Sequence, residues 1–129
     1  MFLSISLEKS YVSSMNYIDS DVLADVKQFM KRYIRSMVPG YLEILNIYSM
    51  RIYGKDVIDL FFESPSKVYD ILLQHYKDSF TADFAISRLF LRPISLKANN
   101  ILLEESLLEL IKNRKDDEVL KAVSGALKK

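Results

Sequence analysis

Apolar residues recur along most of this chain at spacings of three and four, the period of a helix with one buried face. The clearest case follows Asp19 and Ser20. Val22, Val26, Phe29, Tyr33 and Met37 line one side, Leu23, Met30 and Ile34 lie beside them, and Lys27, Lys31, Arg32 and Arg35 form the polar remainder. Asp19 or Ser20 suits the N-cap, Asp21 and Asp25 suit the positive helix end, and Val38-Pro39-Gly40 is a stop. A second helix is expected over 41–53, where the pairs Ile44/Leu45 and Ile47/Tyr48 repeat as a helix does and Gly54 supplies a left-handed cap. A short third helix is expected over 55–63, with Val57, Ile58, Phe61 and Phe62 inward.

Ser64-Pro65 pairs a capping hydroxyl with a proline at the first helical position and so opens a helix over 66–77, striped by Val68, Ile71, Leu72 and Tyr76. The next element is apolar almost all the way round. In TADFAISRLFLRP only Asp83, Ser87, Arg88 and Arg92 relieve the run of Ala82, Phe84, Ala85, Ile86, Leu89, Phe90 and Leu91. Thr81 reads as its start and Pro93 as its stop. A helix of this kind must be wrapped by other helices or by another subunit. After an expected linker over 94–100, Leu103, Leu107, Leu110 and Ile111 face one way, and Glu104, Glu105, Glu109 and Lys112 another. Asp116 then reads as the cap of a last helix carrying Val119, Leu120, Val123 and Leu127.

At the other end, Leu3, Ile5 and Leu7 alternate with serine, the pattern of a short strand or extended arm, and 11–17 reads as loop or short helix. The whole predicts an all-α fold: one domain over 1–129, a bundle of six or seven short helices around a central apolar helix at 81–92.

Composition narrows the functional classes. The net charge is +1 from 18 basic and 17 acidic residues, spread evenly, so no global field favours nucleic acid or an anionic membrane. No cysteine is present, which removes disulfides, thiolate metal sites and thiol nucleophiles. No apolar run reaches the ~18 residues of a membrane span, and the N-terminus lacks the basic start of a signal peptide. A cytoplasmic protein without cofactor or metal is the expectation.

The chemistry-bearing groups are few. His75 is the one histidine, and Asp70, five residues back, falls on another helix face, so a structural role is expected. Asp56, Asp59 and Glu63, at i, i+3 and i+7, could bind a hard cation or act as acid and base. They also lie opposite Val57, Ile58, Phe61 and Phe62, as a solvated stripe would. Lys27, Lys31, Arg32 and Arg35 form a basic edge that could meet phosphates, although Asp21 and Asp25 share the helix. A helix-turn-helix reader is disfavoured, since Asp116, Asp117 and Glu118 would open one recognition helix. Of the eight tyrosines, Tyr41 and Tyr48, together with Met50, are placed to line a cavity between helices.

Residues 54–94, GKDVIDLFFESPSKVYDILLQHYKDSFTADFAISRLFLRPI, combine a short helix, a Ser/Pro-started helix ending near Tyr76, and an Ala-containing central helix. In this they resemble small archaeal all-helical modules of the Nitrosopumilus output domain type. The resemblance covers about a third of the chain. It implies an archaeal-type helical regulatory or interaction module and no site residue.

The expected function is therefore a homo-oligomeric binding module, a homodimer for example, that engages a protein partner or an apolar small molecule. Leu89, Phe90, Leu91, Ile94 and Leu96 are the expected oligomer interface, because their apolar surface exceeds what a chain of this length readily covers. Two alternatives stand beside it: a nucleic-acid-associated regulator using the basic edge, and an enzyme with carboxylates assembled from distant helices.

Overall fold

In the computed structural model, residues 18–128 are described; the strand and loop expected within 2–17 lie outside them. The described residues form α1 (Ser20–Met37), α2 (Tyr41–Tyr53), α3 (Val57–Phe61) and α4 (Pro65–Tyr76). They continue with α5 (Ser79–Ala85), a π-helical turn (Ile86–Leu91), α6 (Arg92–Ala98), α7 (Leu103–Lys112) and α8 (Asp116–Leu127). Residues at the α5/π and π/α6 junctions keep right-handed helical dihedrals, so 79–98 runs as one rod. Seven helical rods result, and the fold is all-α.

Each boundary has a local cause. Asp19 caps α1 by accepting from the Asp21 backbone N–H, and Asp56 caps α3 by accepting from that of Asp59 at 2.9 Å. Gly40 and Gly54 flank α2 at φ +86° and +75°, the left-handed region open to a residue without Cβ. Three other helix ends use that region without glycine: Lys77, Asn99 and Arg114, at φ 59°, 54° and 60°.

The central helix differs from its sequence reading at both ends. Asp78 rather than Thr81 is its N-cap, accepting from the Thr81 N–H at 3.0 Å and from the Thr81 hydroxyl. Pro93 does not stop it. An in-line proline removes one N–H and presses its ring on the carbonyl four residues back. Here the turn before Pro93 is π-helical, with the Arg92 N–H bonded five residues back to the Ser87 carbonyl. The wider turn makes room for the ring, and residues 94–98, expected as linker, are helical until Asn99.

One contiguous core runs through all of these helices. Val26, Met30 and Ile34 of α1 and Leu42 and Leu45 of α2 face Val57, Ile58, Leu60 and Phe61 of α3 within it. Phe61 meets the Phe62 ring edge-on at 5.2 Å and stacks on Phe90 at 5.6 Å. Phe90, Leu91 and Ile94 are completely buried, and Leu89 nearly so. The covering that the sequence assigned to a second subunit is supplied by the chain's own helices. Of the five expected interface residues, only Leu96 is exposed.

Two polar residues hold the bundle across long sequence distances. Asp116 is the first helical residue of α8 rather than its cap, and its carboxylate reaches the start of α4. It accepts from the Ser66 N–H at 2.9 Å and from the Ser64 and Ser66 hydroxyls at 2.5 and 2.9 Å. Glu104, expected on the solvent face of α7, is buried and ion-paired with Arg92 of the central rod.

Candidate functional site

The C-terminal end of α1, the start of α2, the end of α4 and one face of the central rod leave a groove of about 560 Å³ between them. Thr81, Ala85, Arg88 and Arg92 line it from the rod, and Tyr33, Met37 and Val38 from α1 and the turn after it. Tyr41, His75 and Tyr76 close the far side. This volume falls within the range of ~300–1,000 Å³ usual for small-molecule sites. Met37 and Phe84, 56% and 57% exposed, stand at its edge as apolar surface without cover.

The polar groups of the groove are few and differ in how well they are satisfied. The Tyr41 and Tyr76 hydroxyls share a hydrogen bond of 2.7 Å. Burial first, and that bond second, hold the Tyr41 phenol well above its usual range, so it stays neutral. The Tyr48 hydroxyl lies 3.1 Å from His75 Nδ1, and the His75 ring meets Tyr48 and Tyr76 edge-on at 5.4 and 4.8 Å. This aromatic clasp fixes the end of α4. Arg92 is tied to Glu104, which also accepts from the Ser87 hydroxyl at 3.4 Å.

Arg88 is different. Its guanidinium lies 5.2 Å from the Phe84 ring centroid, and no carboxylate among the described residues pairs with it. A cation over an aromatic face, beside an apolar hollow and without a counter-ion among the described residues, can attract an anion at the groove's edge.

The residues singled out from sequence divide accordingly. Tyr41 lines the groove, Tyr48 supports it through His75, and Met50 points away into solvent. The basic edge and the acidic stripe meet in part, and Arg32 makes no ion pair among the described residues. Lys27 bonds Asp59 at 2.9 Å, Lys31 approaches Asp56 at 4.0 Å, and Arg35 approaches Glu43 at 3.5 Å. Glu63 takes Lys55, and Asp70 takes Arg114. Among the described residues no group of three or more His, Asp or Glu side chains could hold a metal ion. No described helix is long and apolar enough to cross a membrane.

Sequence reasoning missed Thr81, Ala85, Arg88 and Arg92 as one lining. Their spacing of four, three and four was the available signal. It was masked because the helix looks apolar on every side and its two arginines read as relief. Comparison with protein-family models, curated proteins and solved structures finds no match, so the functional reading rests on this geometry.

Proposed function

We propose that the protein is a helical binding module whose groove holds a small amphipathic anion, its apolar body between Tyr33, Val38, Tyr41 and Leu89 and its charged head toward Arg88. The observation that carries this reading is the Arg88 guanidinium, without a carboxylate partner among the described residues, at the edge of a roomy, largely apolar hollow. Burial of the ligand's apolar part supplies affinity at about 25 cal/mol per Å² before the costs of association. The arginine supplies orientation, because a planar guanidinium takes a carboxylate or sulfonate through two parallel hydrogen bonds.

The alternatives have less behind them. A phosphate-binding edge needs several free cations, and Lys27, Lys31 and Arg35 each face a carboxylate, which leaves Arg32 alone without an ion pair among the described residues. An acid/base pair needs free carboxylates, and Asp56 and Asp59 are held by a cap and by lysines. The test is fluorescence titration with 1-anilinonaphthalene-8-sulfonate, an apolar aromatic anion. Wild type should bind about one equivalent saturably. Val38→Trp, which adds bulk at a 39% exposed position on the groove wall, should lose that signal while melting as wild type does. Equal binding by both proteins would remove the groove from consideration.

A further inference from the structure

The buried side of α2 is formed by Tyr41, Leu42, Leu45 and Ser49. Its opposite side is also apolar: Ile44, Ile47 and Met50 are 45, 60 and 54% exposed. Such a face explains why the helix reads as apolar in two directions at once, and it is separate from the groove. Ile47 sits at its centre. Ile44 and Met50 lie three residues before and after it, and Glu43 and Arg51 four before and after, so all five share one surface of the helix. Glu43 and Arg51 are both exposed.

This arrangement reads the same in character from either end, with opposite charges at its two ends. We infer that the face is a self-complementary homodimer contact, in which α2 of a second copy packs antiparallel across a two-fold axis at Ile47. That axis sets Ile47 against its own copy, Ile44 level with Met50 of the other chain, and Glu43 level with the other chain's Arg51. One pair of helices thereby buries six apolar side chains and matches two ion pairs. A second copy is the occupant that meets both demands, because the charge that each end needs is present at the other end of the same helix. The Arg35 contact to Glu43, 3.5 Å between exposed side chains, is weak enough to be shared or exchanged. A contact made by one pair of helices is small beside the ~800 Å² per partner of a standard interface, so the dimer should form reversibly as concentration rises.

Sedimentation velocity across a concentration series tests this on the whole chain. Wild type should shift from monomer to dimer as concentration rises. Ile47→Glu should stay monomeric throughout with an unchanged thermal melt, since the side chain it replaces is exposed. Arg51→Glu, which sets like charges level across the seam, should weaken the dimer at least tenfold. The exchanged variant Glu43→Arg/Arg51→Glu should restore dimerisation to within a few-fold of wild type. A wild-type monomer at every concentration, an unaffected dimer in Ile47→Glu, or failure of the exchange to restore it would each overturn the inference.

Discussion

Replacing Asp116 with alanine should destabilise the fold far more than its place on an exposed helix start would suggest. The carboxylate accepts three hydrogen bonds from Ser64 and Ser66, some fifty residues away, and Ser66 is buried. Hydrogen bonds to a charged acceptor contribute about 1.5–3 kcal/mol each at most. The three share one partly exposed carboxylate, and water can replace part of the hydroxyl contacts. We therefore expect a loss of about 2–3 kcal/mol for Asp116→Ala. An asparagine side chain at the same position would keep an acceptor for the Ser66 N–H but none suited to both hydroxyls. Asp116→Asn should therefore lose about half as much, ~1–1.5 kcal/mol. Urea denaturation followed by circular dichroism gives the value directly, with an unchanged slope showing that the folded state is the same. In a thermal scan the alanine variant should melt roughly 6–15 °C lower. Combining Asp116→Ala with Ser66→Ala should lose about 1 kcal/mol less than the sum of the two, because the second change removes one donor, the Ser66 hydroxyl, already orphaned by the first. A residue that merely favours the positive end of α8 contributes about 0.3–1 kcal/mol. A loss below ~0.5 kcal/mol, or strict additivity with Ser66→Ala, would refute the cross-bundle role.

Three smaller effects follow from the same structure. The Ser95 hydroxyl is buried without a hydrogen-bond partner among the described residues, so Ser95→Ala should raise stability by about 1 kcal/mol in the same urea assay; a loss would show that the hydroxyl is satisfied. Lys77 ends α4 in the left-handed region that glycine adopts freely, and Lys77→Gly should add roughly 0.5–1 kcal/mol, a drop counting against the strain assigned there. Asp78 has its carboxyl held below the usual range, chiefly by the Thr81 hydroxyl and then by the Thr81 N–H. A depressed folded-state pKa stabilises above the unfolded value, near 3.8, and is lost as pH falls through the folded value. Asp78→Ala should thus melt below wild type at about pH 6, and the gap should narrow as pH falls below 3.8; a constant gap would place the effect elsewhere.

The helical order was legible because most apolar residues keep to a three-and-four spacing and most caps are local. Asp19, Gly54 and Pro65 in the first turn of α4 act within a turn of their helices, which is the range over which sequence pattern carries information. The Ser64 hydroxyl, read as a cap, instead makes no cap bond and donates to Asp116. The exceptions have a common cause, in that distant contacts change what a local signal means. Pro93 reads as a stop until the π-helical turn before it is known. Asp116 reads as a cap for the helix it begins, yet serves the one that begins at Pro65. Glu104 reads as solvent-facing beside Glu105 and Glu109, and only Arg92, on another helix, explains its burial.

The groove was legible in part. Tyr41 could be placed on a cavity because a tyrosine at a helix start couples apolar bulk to a polar tip. Met50 could not be separated from it, since α2 is apolar on both sides and its outward face cannot be recognised before packing is seen. The basic edge of α1 and the acidic stripe near α3 each looked like a site when read alone. In space they meet at Lys27–Asp59 and Lys31–Asp56, and their charges are used on each other. Arg88, by contrast, read in the sequence only as polar relief on the central helix. What distinguishes it is its place over the Phe84 ring in the groove lining with no carboxylate partner among the described residues, a property of the assembled fold.

Whether Arg88 receives the anionic head of an apolar ligand held in the groove is best decided by isothermal titration. Dodecanoate and dodecanol would each be titrated into wild type and Arg88→Glu. Wild type should take up about one equivalent of dodecanoate, and Arg88→Glu should bind it at least tenfold more weakly, with dodecanol binding both proteins alike. Dodecanoate that binds neither protein, or both equally well, would contradict the role given to Arg88.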